Sequence, residues 1–241
     1  DGEVFVEFKK EFGYRIGLAV CGSYYDENSF HIEYYYPFFW GINSSTNEDI
    51  EIERHADKNS FAGICDDVRL GITLIYYLQN ISDFFHKTEG KMFCRTGTTV
   101  LSALSTEGKI ILPVVQPDQT KRNHFNELRK RTNMISAARE GDEEAIDNLT
   151  MEDIDVYAML SRRVENEDLM TIVDTCLMPY GIESDQYAVV GEIINTDFAK
   201  NTTTGESLVF MTVNSKDIIY DICINQKDLL GEPEIGRRFK G

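Results

Sequence analysis

The sequence predicts an α+β fold, and three features of its patterning lead there. Apolar residues alternate with period two towards both ends of the chain, a long apolar run lies between Val68 and Phe85, and the period turns helical from about Thr120 to Asp168. The expected arrangement is an N-terminal antiparallel sheet covered by a long apolar helix, a helical middle segment, and a C-terminal OB-like β-meander. The corresponding domain spans are 1–117, 118–184 and 185–241.

The first element is a meander. Val4, Val6 and Phe8 alternate along one strand, and Ile16, Leu18 and Val20 along the next. A third strand carries Phe30, Ile32, Tyr34, Tyr36 and Phe38 at even positions, and Ile50 and Ile52 begin a fourth. Because side chains on a strand point to alternate faces, the even positions of the third strand are expected in the core. Tyr35 and Phe39 then share the other face and become candidates for binding a ligand or a protein. The Val68 to Phe85 run is interrupted by Arg69, Gln79, Asn80 and Asp83, so it reads as a buried helix and not as a bilayer span. Asp66 and Asp67 stand where its N-caps would be.

A hairpin is expected next, from Val100 to Leu104 and from Lys109 to Val115 around Glu107-Gly108. Three helices follow, the second carrying Ala145, Ile146 and Leu149, with Thr150 as the cap of the third. The last stretch returns to β structure at 187–198, 208–213 and 218–224, joined by Asn201-to-Gly205 and Asn214-to-Asp217 turns. A helical turn near Leu229 and a returning strand at Arg238-Phe239 complete it.

Charge narrows the functional classes. With 41 acidic against 24 basic side chains the chain stands at −17, which argues against a phosphate-backbone or anionic-membrane partner. The sign is unevenly distributed. Residues 121–139 hold Lys121, Arg122, Arg129, Lys130, Arg131 and Arg139 against Glu127 alone, whereas residues 140–155 carry acidic side chains and no base. Solvated, mutually neutralising faces explain this polarity; a docking surface for an acidic protein, centred on Arg129, Lys130 and Arg131, is the sharper reading.

Nucleotide-binding loops, the His-Glu-x-x-His zinc motif and the Gly-x-Ser-x-Gly elbow are all absent, and no cofactor is expected. The five cysteines include no Cys-x-x-Cys pair, which fits reduced thiols in the cytoplasm better than a secreted disulfide scaffold. The best local constellation runs from Arg54 to Asp67. Glu53, His55 and Asp57 fall on one strand face, where carboxylates and an imidazole could ligate a cation. His55 could instead serve as base to a Cys65 nucleophile, with Asp66 beside it. An exposed acidic strand face followed by helix caps accounts for the same residues without any chemistry.

Arg54-His55-Ala56-Asp57-Lys58, Cys65-Asp66-Asp67-Val68-Arg69, the run from Ala137 to Ile146 and Asp228-Leu229-Leu230-Gly231-Glu232-Pro233 together resemble a family of domains of unknown function from Clostridia-type Firmicutes. The resemblance covers nearly the whole chain and implies a bacterial cytoplasmic protein, with no catalytic residue to carry over. It also implies a pattern continuing past both ends, in keeping with an expected strand clipped at Asp1 and another interrupted at Gly241. The functional expectation is a non-enzymatic protein acting through protein–protein contacts; the alternative is a metal-dependent or thiol enzyme centred on His55 and Cys65. Substrate and oligomeric state are not legible in the sequence.

Overall fold

A computed structural model describes residues 4–26, 29–55, 60–67, 72–81, 93–94, 98–113, 137–138, 141–151, 175–181 and 185–241, with single positions at 130 and 134. The described chain is mostly β, with 61% in strands and 11% helical, so the α+β expectation with a helical middle is overturned.

The N-terminal meander is β1 (Val4–Gly13), β2 (Ile16–Asp26) and β3 (Ser29–Phe39), an antiparallel three-stranded sheet of its own. The fourth expected strand, β4 (Ile50–Arg54), leaves it for a second sheet in the order β6-β5-β4-β7, where β5 is Phe61–Asp67, β6 is Ile72–Tyr77 and β7 is Phe93–Cys94.

Here the long helix fails. Asp66 and Asp67 are not caps but strand residues, paired with Thr73 and Ile72, and Ile72–Tyr77 is a strand antiparallel to β5. Ile72, Thr73, Ile75, Tyr76 and Tyr77 are β-branched or aromatic, types that suit a pleated surface and lose side-chain freedom in a helix. Thr73 Oγ1 donates to Asp66 Oδ1 at 2.6 Å, a cross-strand bond that only this pairing provides. Residues 68–71 and 82–85 of the expected helix lie outside the described residues.

The third sheet is the largest. Its path is β14-β9-β15-β11-β12-β13-β8, with β8 at Ser102–Ser105, β9 at Gly108–Ile111, β10 at Cys176–Pro179, β11 at Tyr187–Lys200, β12 at Ser207–Ser215, β13 at Ile218–Asn225, β14 at Leu229–Leu230 and β15 at Arg238–Lys240; β10 branches from β11. The expected hairpin at 100–115 is therefore not one. β8 pairs in parallel with β13, while β9 pairs with β14 and β15. These two strands are joined by residues 106–107 yet take opposite flanks of the β11–β13 meander, so the sheet curls strongly. No ladder joins β8 to β9, and the barrel expected for the C-terminal segment is not closed.

Turn chemistry explains the meander. Lys216 and Asp217 both have positive φ (51° and 63°), the two-residue turn whose twist matches a hairpin. Asn201 Oδ1 accepts from Thr203 N and Thr204 N to tighten the longer turn.

Helical structure is clearest at 143–151, the short second helix of the sequence reading. Asp142 caps it by accepting from the amides of Glu144 and Ala145. Thr150 lies inside this helix and donates to the Ile146 carbonyl, while the third helix it is expected to cap lies outside the described residues. Most of the other helical expectation, at 120–140 and 154–168, lies outside the described residues.

The core explains the layering. β12 and β13 are buried on both faces. Val209, Met211, Val213, Ile218, Ile222 and Ile224 join Cys65 and Leu74 of the second sheet in the main cluster. On the opposite face, Leu208, Phe210 and Cys223 meet Ile16 and Phe39 of the first sheet. The large sheet is thus the middle of three layers. Tyr187 pins the second sheet to it, accepting from the Ile75 amide at 2.7 Å and donating to the Ile75 carbonyl at 3.0 Å, which also blocks the open edge of β6.

Candidate functional site

The β1–β3 sheet is amphipathic in an unusual sense: its polar face turns towards the body of the protein and much of its apolar face turns to solvent. Register shows how. Phe8 pairs with Val20 and Val20 with Tyr35; Val6 pairs with Gly22 and Gly22 with Ile32. Residues directly opposite in a sheet share a face, so Val6, Phe8, Val20, Ile32 and Tyr35 lie together. Phe8 is 49% exposed, Ile32 56% and Tyr35 70%.

A bulge makes this face. Between the Cys21–Tyr34 and Gly22–Ile32 pairs β3 carries one extra residue, Glu33, and an extra residue exchanges the faces of everything beyond it. Phe30 and Ile32 therefore share the face of Tyr35 and not of Tyr34 and Tyr36, against the uninterrupted alternation expected. Phe30 reaches over the central strand to within 5.3 Å of Phe8 and 5.1 Å of Tyr24, ring to ring. Gly22 permits it: a Cβ there would lie 2.9 Å from the tip of the Phe30 ring.

The opposite face carries Glu7, Lys9, Cys21, Ser23, Tyr34 and Tyr36. Glu7 accepts from the Tyr36 phenol at 2.5 Å and meets Lys9 Nζ at 2.9 Å. Ser23, fully buried, donates to Glu33 at 2.7 Å. Lys9 also lies over the Trp40 ring, 4.8 Å from its centre, and donates to the Gln79 carbonyl. Gln79 ties this face down, its side chain accepting from Phe39 N and donating to Ser102 Oγ. A satisfied polar network of this kind fixes orientation, because each partner left alone in the interior would be costly.

Burial tunes these groups away from reactivity. It pushes the Cys21 thiol up to about 11, outweighing a hydrogen bond with Tyr34 that acts the other way. Burial, then the bond to Glu7, raises the Tyr36 phenol far above its ordinary value; burial, then Cys21, does so for Tyr34. Both phenols are neutral donors at physiological pH. Tyr220 is raised by burial and Tyr76 is pushed by it up to about 12. The folded state therefore holds protons that unfolded tyrosines release near pH 10, and stability present below about pH 10 falls as the pH rises beyond it. Absorbance titration should show the ionisation of Tyr34, Tyr36, Tyr76 and Tyr220 appearing late and together with unfolding. A single simple titration near pH 10 with the fold retained would contradict it.

The other sequence candidates are dispersed. His55 sits opposite Ser60 at the β4–β5 hairpin, with Nδ1 2.7 Å from Ser60 Oγ and its ring edge-on to Tyr77 at 5.1 Å. Cys65 lies five residues beyond Ser60, about 16 Å along an extended strand, and is buried against Leu74 in the main core. The structure thus brings His55 to Ser60 and not to Cys65. Asp66 is exposed and bonded to Thr73. Glu53 is exposed on β4, and Asp57 lies outside the described residues. Among the described residues no three His, Cys, Asp or Glu side chains stand close enough to hold a metal ion. Lys130 is exposed, while Arg129 and Arg131 lie outside the described residues. Tyr35 and Phe39 share a face by pairing, yet Phe39 is 2% exposed, stacked on Phe210 under the large sheet.

Residues 1–241, the whole chain, match the family model described as "Domain of unknown function, E. rectale Gene description (DUF3881)". The chain belongs to the DUF3881 family. Neither a curated protein nor a solved structure matches it. No described helix of this DUF3881 chain is long and apolar enough to cross a membrane.

Sequence reasoning named Tyr35 but missed Phe8, Phe30 and Ile32 as its companions. Their β-propensity and aromatic character were visible; the bulge that aligns them was not.

Proposed function

We propose that this is a non-enzymatic, cytoplasmic protein that works through protein–protein contacts made by the outer face of the β1–β3 sheet. One observation carries the reading. Phe8, Ile32 and Tyr35 are about half exposed or more on a single face, while Glu7, Ser23, Tyr34 and Tyr36 lie on the opposite face, where Tyr36 bonds Glu7 and Ser23 bonds Glu33. Scattered apolar residues on a surface need no explanation, but a contiguous apolar sheet face marks an interaction site. The raised thiols of Cys21 and Cys223 support a role that does not use them as nucleophiles. Five cysteines spread along the chain without a Cys-x-x-Cys pair support a place in the cytoplasm.

A photo-cross-linking amino acid at position 35 tests the contact, with position 203 in the exposed β11–β12 turn as control. Discrete protein adducts from position 35, absent from position 203 and lost when Phe8→Asp is added, are expected. Equal or absent adducts from the two positions would sink the reading.

A further inference from the structure

We propose that the partner on this face is a second copy of the same chain, the two β1–β3 sheets packing face to face about a two-fold axis. This deepens the preceding reading and rests on it.

Area is the first argument. At roughly 200 Å² for a large apolar side chain, the exposed parts of Phe8, Ile32 and Tyr35 alone offer about 350 Å² per copy. Exposed Lys10 and Pro37 and half-buried Val6, Leu18, Val20 and Phe30 on the same face extend this towards the roughly 800 Å² per partner of a specific interface. Two sheet faces stack about 10 Å apart with interdigitated side chains, so no rearrangement of either sheet is needed.

Charge is the second. At −17, copies of this chain repel one another over most of their surface. The outer face is an exception. Its rows, Val6–Gly22–Ile32, Phe8–Val20–Tyr35 and Lys10–Leu18–Pro37, contain no Asp or Glu and a single cation, Lys10. A charged partner would find almost nothing to pair with there, whereas an apolar face matching itself is what a two-fold contact requires. The Phe8–Val20–Tyr35 row lies between the other two open rows, so an axis over it sets Val6–Gly22–Ile32 of one copy against Lys10–Leu18–Pro37 of the other, while Ile16 and Phe39 stay on Phe210.

The third argument is continuity. At its base the same face already serves as an interlayer contact, where Ile16 and Phe39 pack on Phe210. The second copy would continue this layer past the edge of the large sheet.

Sedimentation of the purified chain tests the proposal. A concentration-dependent monomer–dimer equilibrium is expected, tightening as salt rises because salt screens the repulsion between acidic copies. Phe8→Asp with Tyr35→Asp should weaken it at least about 100-fold, since each copy would bury two unpaired carboxylates. Circular dichroism should be unchanged, and Tyr35→Ala alone, which adds no charge, should weaken the dimer less. Cross-linking from position 35 of the pure protein should give a product of twice the chain mass. A wild-type chain that stays monomeric at about 0.1 mM in high salt overturns the second copy. If position 35 then still cross-links a different protein in native lysate, the contact face stands without it. Cross-links that return to the same chain without gain in mass overturn both, because the face is then covered from within.

Discussion

Asp221→Ala should cost about 3–5 kcal/mol and loosen the first sheet from the large one. Asp221 is 1% exposed, yet its carboxylate is fully engaged. Oδ2 accepts from the Ile42 amide at 2.7 Å and faces Arg15 Nη1 at 3.4 Å; Oδ1 accepts from Asn43 Nδ2 at 2.9 Å and Thr212 Oγ1 at 2.8 Å. The donors come from the β1–β2 turn, the loop after β3 and strand β12, so one side chain joins elements far apart in sequence. Removing it strands Arg15, whose side chain is only 12% exposed, and leaves the donors unsatisfied. Asp221→Asn should cost a large part of the same, because its amide nitrogen would confront donors. Urea unfolding measures the loss. Trp40, the only tryptophan, donates its amide to the Arg15 carbonyl and reports on this junction by fluorescence. A loss below about 1 kcal/mol for Asp221→Ala would mean that the junction holds without this carboxylate.

Phe39→Ala should cost a comparable 3–5 kcal/mol, roughly the range for deleting a buried phenylalanine. Its ring stacks on Phe210 with centroids 5.3 Å apart and planes within 10°, and the Arg15 guanidinium lies 5.0 Å from one ring and 5.3 Å from the other. Deletion leaves a void between two layers and removes half of the seat of Arg15. Tyr35→Ala, four residues earlier, should change monomer stability by no more than about 0.5 kcal/mol because the ring is mostly in solvent. The pair therefore separates structure from contact: Phe39→Ala should act on unfolding, Tyr35→Ala on association. Combining Phe39→Ala with Asp221→Ala should cost less than the two singly, since both act on Arg15. Strict additivity would argue that Arg15 does not couple them.

Several elements were legible because their signals are local. Turn residues at Asn201–Gly205 and Asn214–Asp217 delimit β11–β13, and period-two alternation finds β1, β2 and β4. Ile72–Tyr77 is a strand where the pattern predicts a helix, because a short apolar run has no period of its own to exclude one; its β-branched and aromatic content is the better guide. The Ser102–Ile111 segment carries good hairpin chemistry, but each strand finds a longer partner across the large sheet. Local propensity cannot weigh that competition.

The candidate site divides along the same line. From the sequence alone follow the net acidity, the absence of familiar catalytic motifs, the aromatic richness of β3 and the family to which the chain belongs. These depend on residue identity and short spacing. Which aromatic residues face solvent was decided only in three dimensions. A single inserted residue at Glu33 exchanges the faces of β3, and packing of the sheet base on Phe210 buries Phe39 while leaving Tyr35 bare. The sequence likewise offered His55 and Cys65 as a pair, and the β4–β5 register gave His55 to Ser60 instead. The physical reason is the same each time: strand pairing is non-local and its period is two, so a shift of one residue, set by a distant partner, moves a side chain from the core to the surface.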